Sequence, residues 1–333
     1  MNGFKASTIR KLLKKKIDEV CESITDPDIK TIFKRDAIVS GGAIASFLQG
    51  DQPNDYDIYF SNIETTERVA KYYVDKFNEA VGKLTTAPGV KDYVPIVRRE
   101  KRVNIKGNEE ERVVIFMKSA GVAGESQEVY DYFEGRADEI TDDFVASLTE
   151  GATVMGNTPD VFQAVSAIKE ELREAKEKLP YRPIFLSDNA ITLANRVQLV
   201  IRFYGSPADI HVNYDYAHAM CYYEAGEGKL TLPSEALQAI LSKTLIYKGS
   251  LYPVASIFRV RKFLKRGWNI SAGELLKIMF QLSKIDLSNH IVLRDQLIGV
   301  DAAYMNQLVN LIKANDGKVD QAYLVKIIDE VFE

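Results

Sequence analysis

One segment of the sequence, residues 38–60, constrains the fold more than any other. A short apolar strand ends at Ser40-Gly41-Gly42, and a helical run follows over residues 43–48. After a turn rich in small and polar residues, residues 56–60 have the pattern of a second strand. This order predicts two strands of one sheet, connected through a glycine turn and a helix.

The second strand carries a pair of acids, Asp55 and Asp57. Strand side chains alternate between the two faces of a sheet, so these carboxylates share one face while Tyr56 and Ile58 point to the other. Neighbouring carboxylates repel each other unless a cation neutralises them. Hard divalent ions such as Mg²⁺ prefer oxygen ligands of this kind. The pair therefore predicts a site for Mg²⁺ or Mn²⁺.

The glycine turn predicts the complementary half of such a site. Glycine lets the backbone turn sharply and approach a ligand closely. The first N–H groups of the helix after Gly41-Gly42 attract phosphate, and Ser40 adds a hydroxyl donor. An anion-binding turn beside two metal-binding carboxylates matches what nucleotidyl transfer from a nucleoside triphosphate requires. We therefore expect Ser40, Gly41 and Gly42 to bind the triphosphate.

Gly41-Gly42 followed by Asp55-Tyr56-Asp57 resembles the signature of the DNA polymerase β-like nucleotidyltransferase superfamily. Residues 40–60 and 189–223 also resemble uncharacterised nucleotidyltransferase-like proteins of tailed bacteriophages, some of them described as tRNA nucleotidyltransferase-like. The resemblance implies an α+β fold, a mixed sheet with flanking helices, followed by an all-helical domain. It also implies Mg²⁺-dependent transfer of a nucleoside monophosphate from an NTP to an acceptor hydroxyl, with release of pyrophosphate.

The resemblance further implies a third carboxylate on a later strand, and Asp215 is the candidate. It lies between tyrosines in a predicted strand over residues 214–223, where it would share the metal and help to deprotonate the acceptor hydroxyl. The alternative is a structural aspartate that caps a turn or bonds a tyrosine. Asp209 is a weaker candidate, because acids are favoured in the first turn of a helix. His218 is predicted to be a buried structural histidine.

A basic helix is predicted over residues 253–265. Its buried face should contain Ile257, Val260, Phe263 and Leu264. Its exposed stripe should contain Arg259, Lys262 and Arg266. Such a stripe fits a triphosphate or a polynucleotide backbone, because arginine binds phosphate bidentately. The alternative is an ordinary solvated face.

Further basic and aromatic residues could extend this stripe, with an exposed tyrosine stacking on a base. They are Lys243, Lys248, Tyr247 and Tyr252.

The sequence is that of a globular protein, with 46% hydrophobic and 27% charged residues, and charge interrupts every apolar run before it could span a membrane. We therefore expect a cytoplasmic protein, in the host cytoplasm if a phage encodes it. The net charge of −4 argues against coating nucleic acid through the overall field, although a local basic patch could still bind it. Cys21 and Cys221 are expected to be buried, reduced thiols.

Local patterns predict further elements. Residues 4–24 should form an amphipathic helix that Asp26-Pro27 ends, residues 93–103 and 112–117 two strands of a hairpin, and residues 162–179 a helix. Beyond residue 231 the sequence shows helical periodicity, over residues 272–282 and after residues 288, 301 and 319 among others, and no strand signal.

We predict two domains: a nucleotidyltransferase domain over residues 1–228, with an inserted segment at about 88–180, and a helical domain over residues 229–333. The acceptor stays open among an RNA 3′ end, a tRNA, a small molecule and a protein side chain. A function of another class also stays open, a non-catalytic nucleotide or nucleic-acid binding protein on the same fold. A toxin-type nucleotidyltransferase is a third hypothesis, and the oligomeric state is open.

Overall fold

The computed structural model describes residues 3–80, 95–103, 109–116, 180–187 and 189–287, together with residues 289, 292, 293, 296 and 326. These residues form two compact units. The first unit contains the described residues up to His211 and the segment Cys221–Leu232. The second contains Val212–Met220 and the described residues from Pro233 onward. The predicted helices over 162–179 and after residue 301 lie outside the described residues. So do most of the predicted inserted segment and most of the predicted helices after residues 288 and 319.

Five helices and nine strands make up the described part of the first unit. The helices are α1 (Ala6–Ser23), α2 (Pro27–Asp36), α3 (Gly42–Gln49), α4 (Ile63–Ala80) and α5 (Pro207–His211). The first strands are β1 (Ala37–Ser40), β2 (Tyr56–Phe60), β3 (Ile96–Val103) and β4 (Glu109–Phe116). The later strands are β5 (Pro183–Leu186), β6 (Ala190–Leu193), β7 (Val197–Tyr204), β8 (Tyr222–Glu224) and β9 (Lys229–Thr231).

Seven of these strands form one mixed sheet in the order β5-β6-β7-β2-β1-β8-β9. The β2–β7 pair is parallel, and every other neighbouring pair in this sheet is antiparallel. Strands β3 and β4 form a separate antiparallel pair, as predicted, although the turn between them lies outside the described residues. The predicted α+β class, with a mixed sheet and flanking helices, is confirmed.

Helix α1 is amphipathic as predicted, with Ile9, Leu13 and Ile17 buried. Helix α2 was not predicted, because Asp26-Pro27 was interpreted only as the end of α1. The Asp26 carboxylate accepts hydrogen bonds from the backbone N–H groups of Asp28 and Ile29, at 2.8 and 3.1 Å. Aspartate at the N-cap with proline at the first helical position is a helix start, so the same dipeptide ends one helix and begins the next.

Asp36, the last residue of α2, anchors a buried polar network. Its carboxylate accepts hydrogen bonds from Arg35, Asn62 and Thr65, at the start of α4. Burial opposes its ionisation, but these hydrogen bonds outweigh burial and hold the pKa of Asp36 at about 2. The network joins the end of α2 to the beginning of α4.

Replacing Asp36 with alanine should lower the free energy of unfolding of the first unit by about 2–3 kcal/mol, because Thr65 and Asn62 lose a charged acceptor. Urea unfolding at neutral pH measures this change, with the exposed Asp51→Ala as the matched control. The contribution of the ionised Asp36 carboxylate to the free energy of unfolding should be complete above about pH 4, which is the pKa of an aspartate in the unfolded chain. It should disappear as the pH falls towards 2. Equal urea midpoints for the two variants would contradict this account.

The described part of the second unit is mainly helical. A short 3-10 helix (Ala217–Ala219) precedes α6 (Ser234–Ser242), α7 (Pro253–Lys265) and α8 (Ala272–Leu282). The bounds of α7 and α8 are those that the sequence predicts. Two short strands, β10 (Thr244–Leu245) and β11 (Asn269–Ile270), pair in parallel, which corrects the expectation that no strand follows residue 231. Among the helices of the described residues, none combines the length and apolar character needed to cross a bilayer.

The prediction of one continuous strand over residues 214–223 is wrong. Residues 217–219 form the 3-10 helix, and β8 begins only at Tyr222. Tyr216 is buried, forms an isolated bridge with Tyr247, and donates a hydrogen bond from its hydroxyl to the Ser256 carbonyl at 2.8 Å. The aromatic residues that suggested a strand therefore reflect side-chain packing within the second unit.

The predicted buried face of α7 is also partly wrong. Val260 is buried, but Ile257 and Leu264 are 45% and 47% exposed. The buried stripe runs instead through Ala255, Ser256 and Val260. Both the predicted and the observed sets of residues have spacings that lie on one face of a helix. Which face is buried depends on tertiary packing, which the hydrophobicity pattern alone does not specify.

Candidate nucleotide and metal site

The strand register collects polar side chains on one face of the sheet. Ser40 of β1 pairs with Asp57 of β2, which pairs in turn with Gln198 of β7. Residues opposite each other on neighbouring strands point to the same face. Asp55 is exposed and precedes β2, so its sharing of that face with Asp57 stays a prediction. Ile58 lies on the other face and is fully buried, as the alternation predicts. Tyr222, Ser40, Asp57, Gln198 and Thr192 form one row across five strands, here called the polar row.

The glycine turn and the Asp57 carboxylate are in direct contact. Gly41 is the N-cap of α3 with φ 94° and ψ −153°, a conformation that is essentially confined to glycine. A Cβ added at Gly41 would lie 2.6 Å from Asp57 Oδ2. A Cβ added at Gly42 would meet nothing within 4 Å. Gly41 is therefore required both by its backbone conformation and by the carboxylate beside it.

Ser40 lies at the end of β1 and is completely buried. Its hydroxyl donates to the Cys221 carbonyl at 3.1 Å and lies 2.9 Å from His211 Nε2. Its predicted role as a phosphate donor stays a prediction, since the hydroxyl contacts groups of the protein's own sheet and helix α5.

His211 is the last residue of α5 and lies beside Ser40 at the end of β1. Its ring packs edge-on against Tyr222, with 5.5 Å between the ring centroids. Burial lowers the pKa of His211 to about 4, so the imidazole is neutral at physiological pH. Helix α5 begins with a capping box, in which Asp209 Oδ2 accepts from the Ser206 backbone N–H and hydroxyl at 2.9 and 2.6 Å. Asp209 is thus a first-turn acid, as predicted.

Asp215 and Arg259, both predicted site residues, lie in the second unit and bind each other. Arg259 Nη1 donates to Asp215 Oδ2 at 2.6 Å. Asp215 does not belong to the sheet, and the strands on either side of β2, β1 and β7, contain no acidic residue. The role of Asp215 as the third metal ligand stays a prediction.

The other basic candidates of the second unit differ in their surroundings. Lys262 is half-buried, and Arg266 is exposed just after α7. Lys248 forms an ion pair with Glu235 at 2.7 Å. Lys243 ends α6 in the left-handed conformation. The phosphate-binding roles of Arg259, Lys262 and Arg266 stay predictions.

The tyrosines of the predicted extension are less accessible than expected. Tyr247 is 4% exposed and donates its hydroxyl hydrogen to Gln281 at 2.6 Å, so stacking of its ring on a base is ruled out. Tyr252 is half-buried.

His218 is buried, as predicted, in an aromatic box of the second unit. The ring centroids of Phe263 and Trp268 lie 4.6 and 4.5 Å from that of His218. Its Nδ1 has no hydrogen-bond partner among the described residues. Burial lowers the pKa of His218 to about 4; the negative charge of Asp215 opposes this shift, and the positive charge of Arg266 adds to it.

The described residues contain no group of three or more histidine, cysteine, aspartate or glutamate side chains able to hold a metal ion. Mg²⁺ at nucleotide sites is commonly held by one or two carboxylates together with the substrate phosphates. Asp57, beside the Gly41 turn, could hold a metal ion in that way. The roles of Asp55 and Asp57 as metal ligands stay predictions. Both cysteines are buried free thiols, as predicted. Burial raises the pKa of Cys21 to about 11 and that of Cys221 to about 12, which argues against either as a nucleophile.

An open groove of about 670 Å³ lies along α1 and is lined in part by Lys11, Lys14 and Tyr181. Lys16 Nζ lies 5.3 Å from the Tyr181 ring centroid and 5.0 Å from that of Tyr56. Tyr56 precedes Asp57 on β2, so strand alternation puts the Tyr56 ring on the opposite face of the sheet from the polar row.

Comparison with known proteins identifies one family. The sequence model described as "Gabija anti-defense 2 family protein" matches residues 11–243 of the 333. Neither the comparison with curated proteins nor that with solved structures gives a match. The matched segment includes the glycine turn, Asp55, Asp57 and His211. Because it covers well over half of the sequence, the chain belongs to the Gabija anti-defense 2 family.

Proposed function

We propose that this chain is a metal-dependent nucleotidyltransferase whose activity counteracts the Gabija defence. One observation carries the proposal: the Asp57 carboxylate lies against the Gly41 turn at the start of α3, so one carboxylate of the predicted pair is beside an anion-attracting helix terminus. The family name supports the counter-defence role. The strand order of the sheet supports a catalytic face, because the polar row crosses it beside this contact.

The proposed reaction uses the two carboxylates and the first turn of α3. Asp55 and Asp57 would hold Mg²⁺ or Mn²⁺, and the first backbone N–H groups of α3 would receive phosphate oxygens of the NTP. The bound cation supplies neutralisation of the phosphate charge and activation of the acceptor hydroxyl. The acceptor oxygen bonds to the α-phosphorus, the bond from that phosphorus to the bridging oxygen breaks, and pyrophosphate leaves. The hydroxyl proton passes to a neighbouring carboxylate or to water.

A transfer assay tests this activity. The purified protein is incubated with a mixture of α-³²P-labelled NTPs, Mn²⁺ and an extract of Gabija-carrying cells, and labelled macromolecules are separated on gels. Nuclease and protease treatment of the product distinguishes an RNA or tRNA acceptor from a protein, and thin-layer chromatography of the same reaction detects a labelled small molecule. We expect labelling by the native chain to fall at least about a hundredfold in Asp57→Ala, as expected for loss of a group that stabilises the transition state.

Asp51→Ala is the matched control, because Asp51 is an exposed aspartate six residues away on the same connection. It should label like the native chain. Equal labelling by Asp57→Ala and Asp51→Ala would refute the proposal.

A second candidate function is non-catalytic binding of a nucleotide or nucleic acid. The lack of an acidic residue in β1 and β7 favours it, because a site with two carboxylates can hold a nucleotide-bound cation without turnover. Plating a Gabija-sensitive phage on Gabija-carrying cells that express each variant separates the two functions. If the chain acts by nucleotidyl transfer, the Asp57→Asn variant should no longer protect the phage. Binding alone predicts that any variant retaining nucleotide affinity still protects the phage.

A further inference from the structure

His211 is the most informative residue beside the candidate site that the sequence does not single out. It is far from the glycine turn in the chain, yet its Nε2 lies 2.9 Å from the hydroxyl of Ser40. Its helix begins at the capping box of Ser206 and is packed into the core through Ile210, which is completely buried. The imidazole therefore occupies a fixed position relative to the end of β1.

The hydrogen-bond geometry fits one neutral tautomer of His211, with the proton on Nε2. Ser40 has one hydroxyl hydrogen, and the Cys221 carbonyl, 3.1 Å away, can only accept. With that hydrogen donated to the carbonyl, the Ser40 oxygen accepts from His211 Nε2–H. Burial of the imidazole, which favours the neutral form, agrees with a single proton on the ring.

Ser40 transmits this contact to the site. It directly precedes Gly41, and it pairs across the sheet with Asp57. The space between Gly41 and Asp57 Oδ2 is too small for a methyl group, so a small shift of Ser40 would change the position of the turn against the carboxylate. His211 is thus connected with Asp57, the candidate metal-binding residue, through the Ser40 hydroxyl and the Gly41 turn.

We propose that His211 is a positioning residue of the nucleotide site: its Nε2–H holds the Ser40 hydroxyl, and thereby keeps the Gly41 turn against Asp57. This inference rests on the proposed function of that site. It assigns His211 no proton transfer and no contact with the substrate. Outer hydrogen-bond partners of this kind commonly change metal affinity or activity by 10- to 100-fold.

Two substitutions separate the hydrogen bond from the bulk of the ring. In His211→Gln the side-chain amide N–H can take the place of Nε2–H, whereas in His211→Asn the amide is too short to reach Ser40. Both remove the imidazole and its contact with Tyr222, so a purely structural role predicts equal losses of Mn²⁺ affinity in the two variants.

The probe is Mn²⁺, and its binding is measured by electron paramagnetic resonance in the presence of ATP, GTP, CTP and UTP in turn. Thermal unfolding of each variant is recorded alongside.

We expect His211→Gln to bind Mn²⁺ with nucleotide within about threefold of the native chain, and His211→Asn to bind at least about tenfold more weakly, with similar melting temperatures. Ser40→Ala should match His211→Asn, and the double variant should be no weaker than either, because both changes remove one interaction. Ser40→Ala also carries the test if His211→Asn fails to fold.

Equal losses in His211→Gln and His211→Asn, or additive losses in the double variant, would overturn the positioning role while leaving the proposed function intact. A native chain that binds Mn²⁺ and nucleotide no better than Asp57→Ala would instead refute the proposed function, and this inference with it.

Discussion

Replacing Gly41 with alanine should lower nucleotidyl transfer by at least about a hundredfold, because a displacement of about 1 Å at a reacting site can cost that much. The new methyl group would lie 2.6 Å from Asp57 Oδ2, so either the carboxylate or the turn must move. The φ of 94° adds strain of about 1–3 kcal/mol for any residue with a Cβ. We therefore expect lower stability as well as lost transfer.

Gly42→Ala is the control for the stability part of this prediction. A methyl group there has open space, and the position begins a helix, so alanine should leave stability unchanged or raise it by up to about 1 kcal/mol. Urea unfolding and the transfer assay, measured on both variants, give the comparison. If Gly41→Ala were as stable and as active as the native chain, Asp57 would not be held against the turn.

Acidification should destabilise the second unit through His218. Its pKa of about 4 in the folded state lies below the ordinary value of about 6.5, so the unfolded chain binds the proton more tightly. The stability that this difference contributes is complete above about pH 6.5 and is lost as the pH falls towards 4. Between pH 7 and pH 5 the loss should be about 2 kcal/mol from this residue alone.

His218→Leu removes the titrating group and the buried Nδ1, so its free energy of unfolding should depend less on pH in that interval. Urea unfolding at pH 7 and pH 5, followed by fluorescence of Trp268 beside the ring, measures the second unit. His211, with the same direction of shift, titrates in the first unit and is present in both proteins, so it cancels in the comparison. An unchanged pH dependence in the leucine variant would show that burial of His218 does not control acid stability.

The sequence predicts the strand, turn, helix and strand around the glycine turn because each has a local signal. The apolar run of β1, the glycines of the turn and the alternation around Asp57 all act within a few residues. The contact between Gly41 and Asp57 could also be expected, because one short connection joins them. Helix α2 had an equally local signal, the Asp26 cap before Pro27, which was interpreted as a stop instead of a start.

The partners of this site from later parts of the chain could not be predicted. His211 is 171 residues from Ser40, and no periodicity in either segment indicates that they meet. Gln198 comes to lie beside Asp57 only because β7 adds to the sheet in parallel next to β2. Asp215 was chosen for its aromatic neighbours, and those belong to the packing around Tyr216 in the second unit. Hydrophobic alternation and composition predict the structure of one segment at a time. The contacts of His211 and Gln198 depend on how distant segments are arranged in the sheet, which these patterns do not specify.

Binding of Mn²⁺ in the presence of a non-hydrolysable NTP analogue, followed by electron paramagnetic resonance, tests the central claim most directly. The claim is that Asp57, packed against the Gly41 turn, holds a divalent cation together with a polyphosphate. The account predicts that the analogue increases Mn²⁺ affinity in the native chain and in Asp51→Ala, and that Asp57→Ala reduces this affinity at least about tenfold. Affinity that is the same in all three proteins, with or without the analogue, would contradict it.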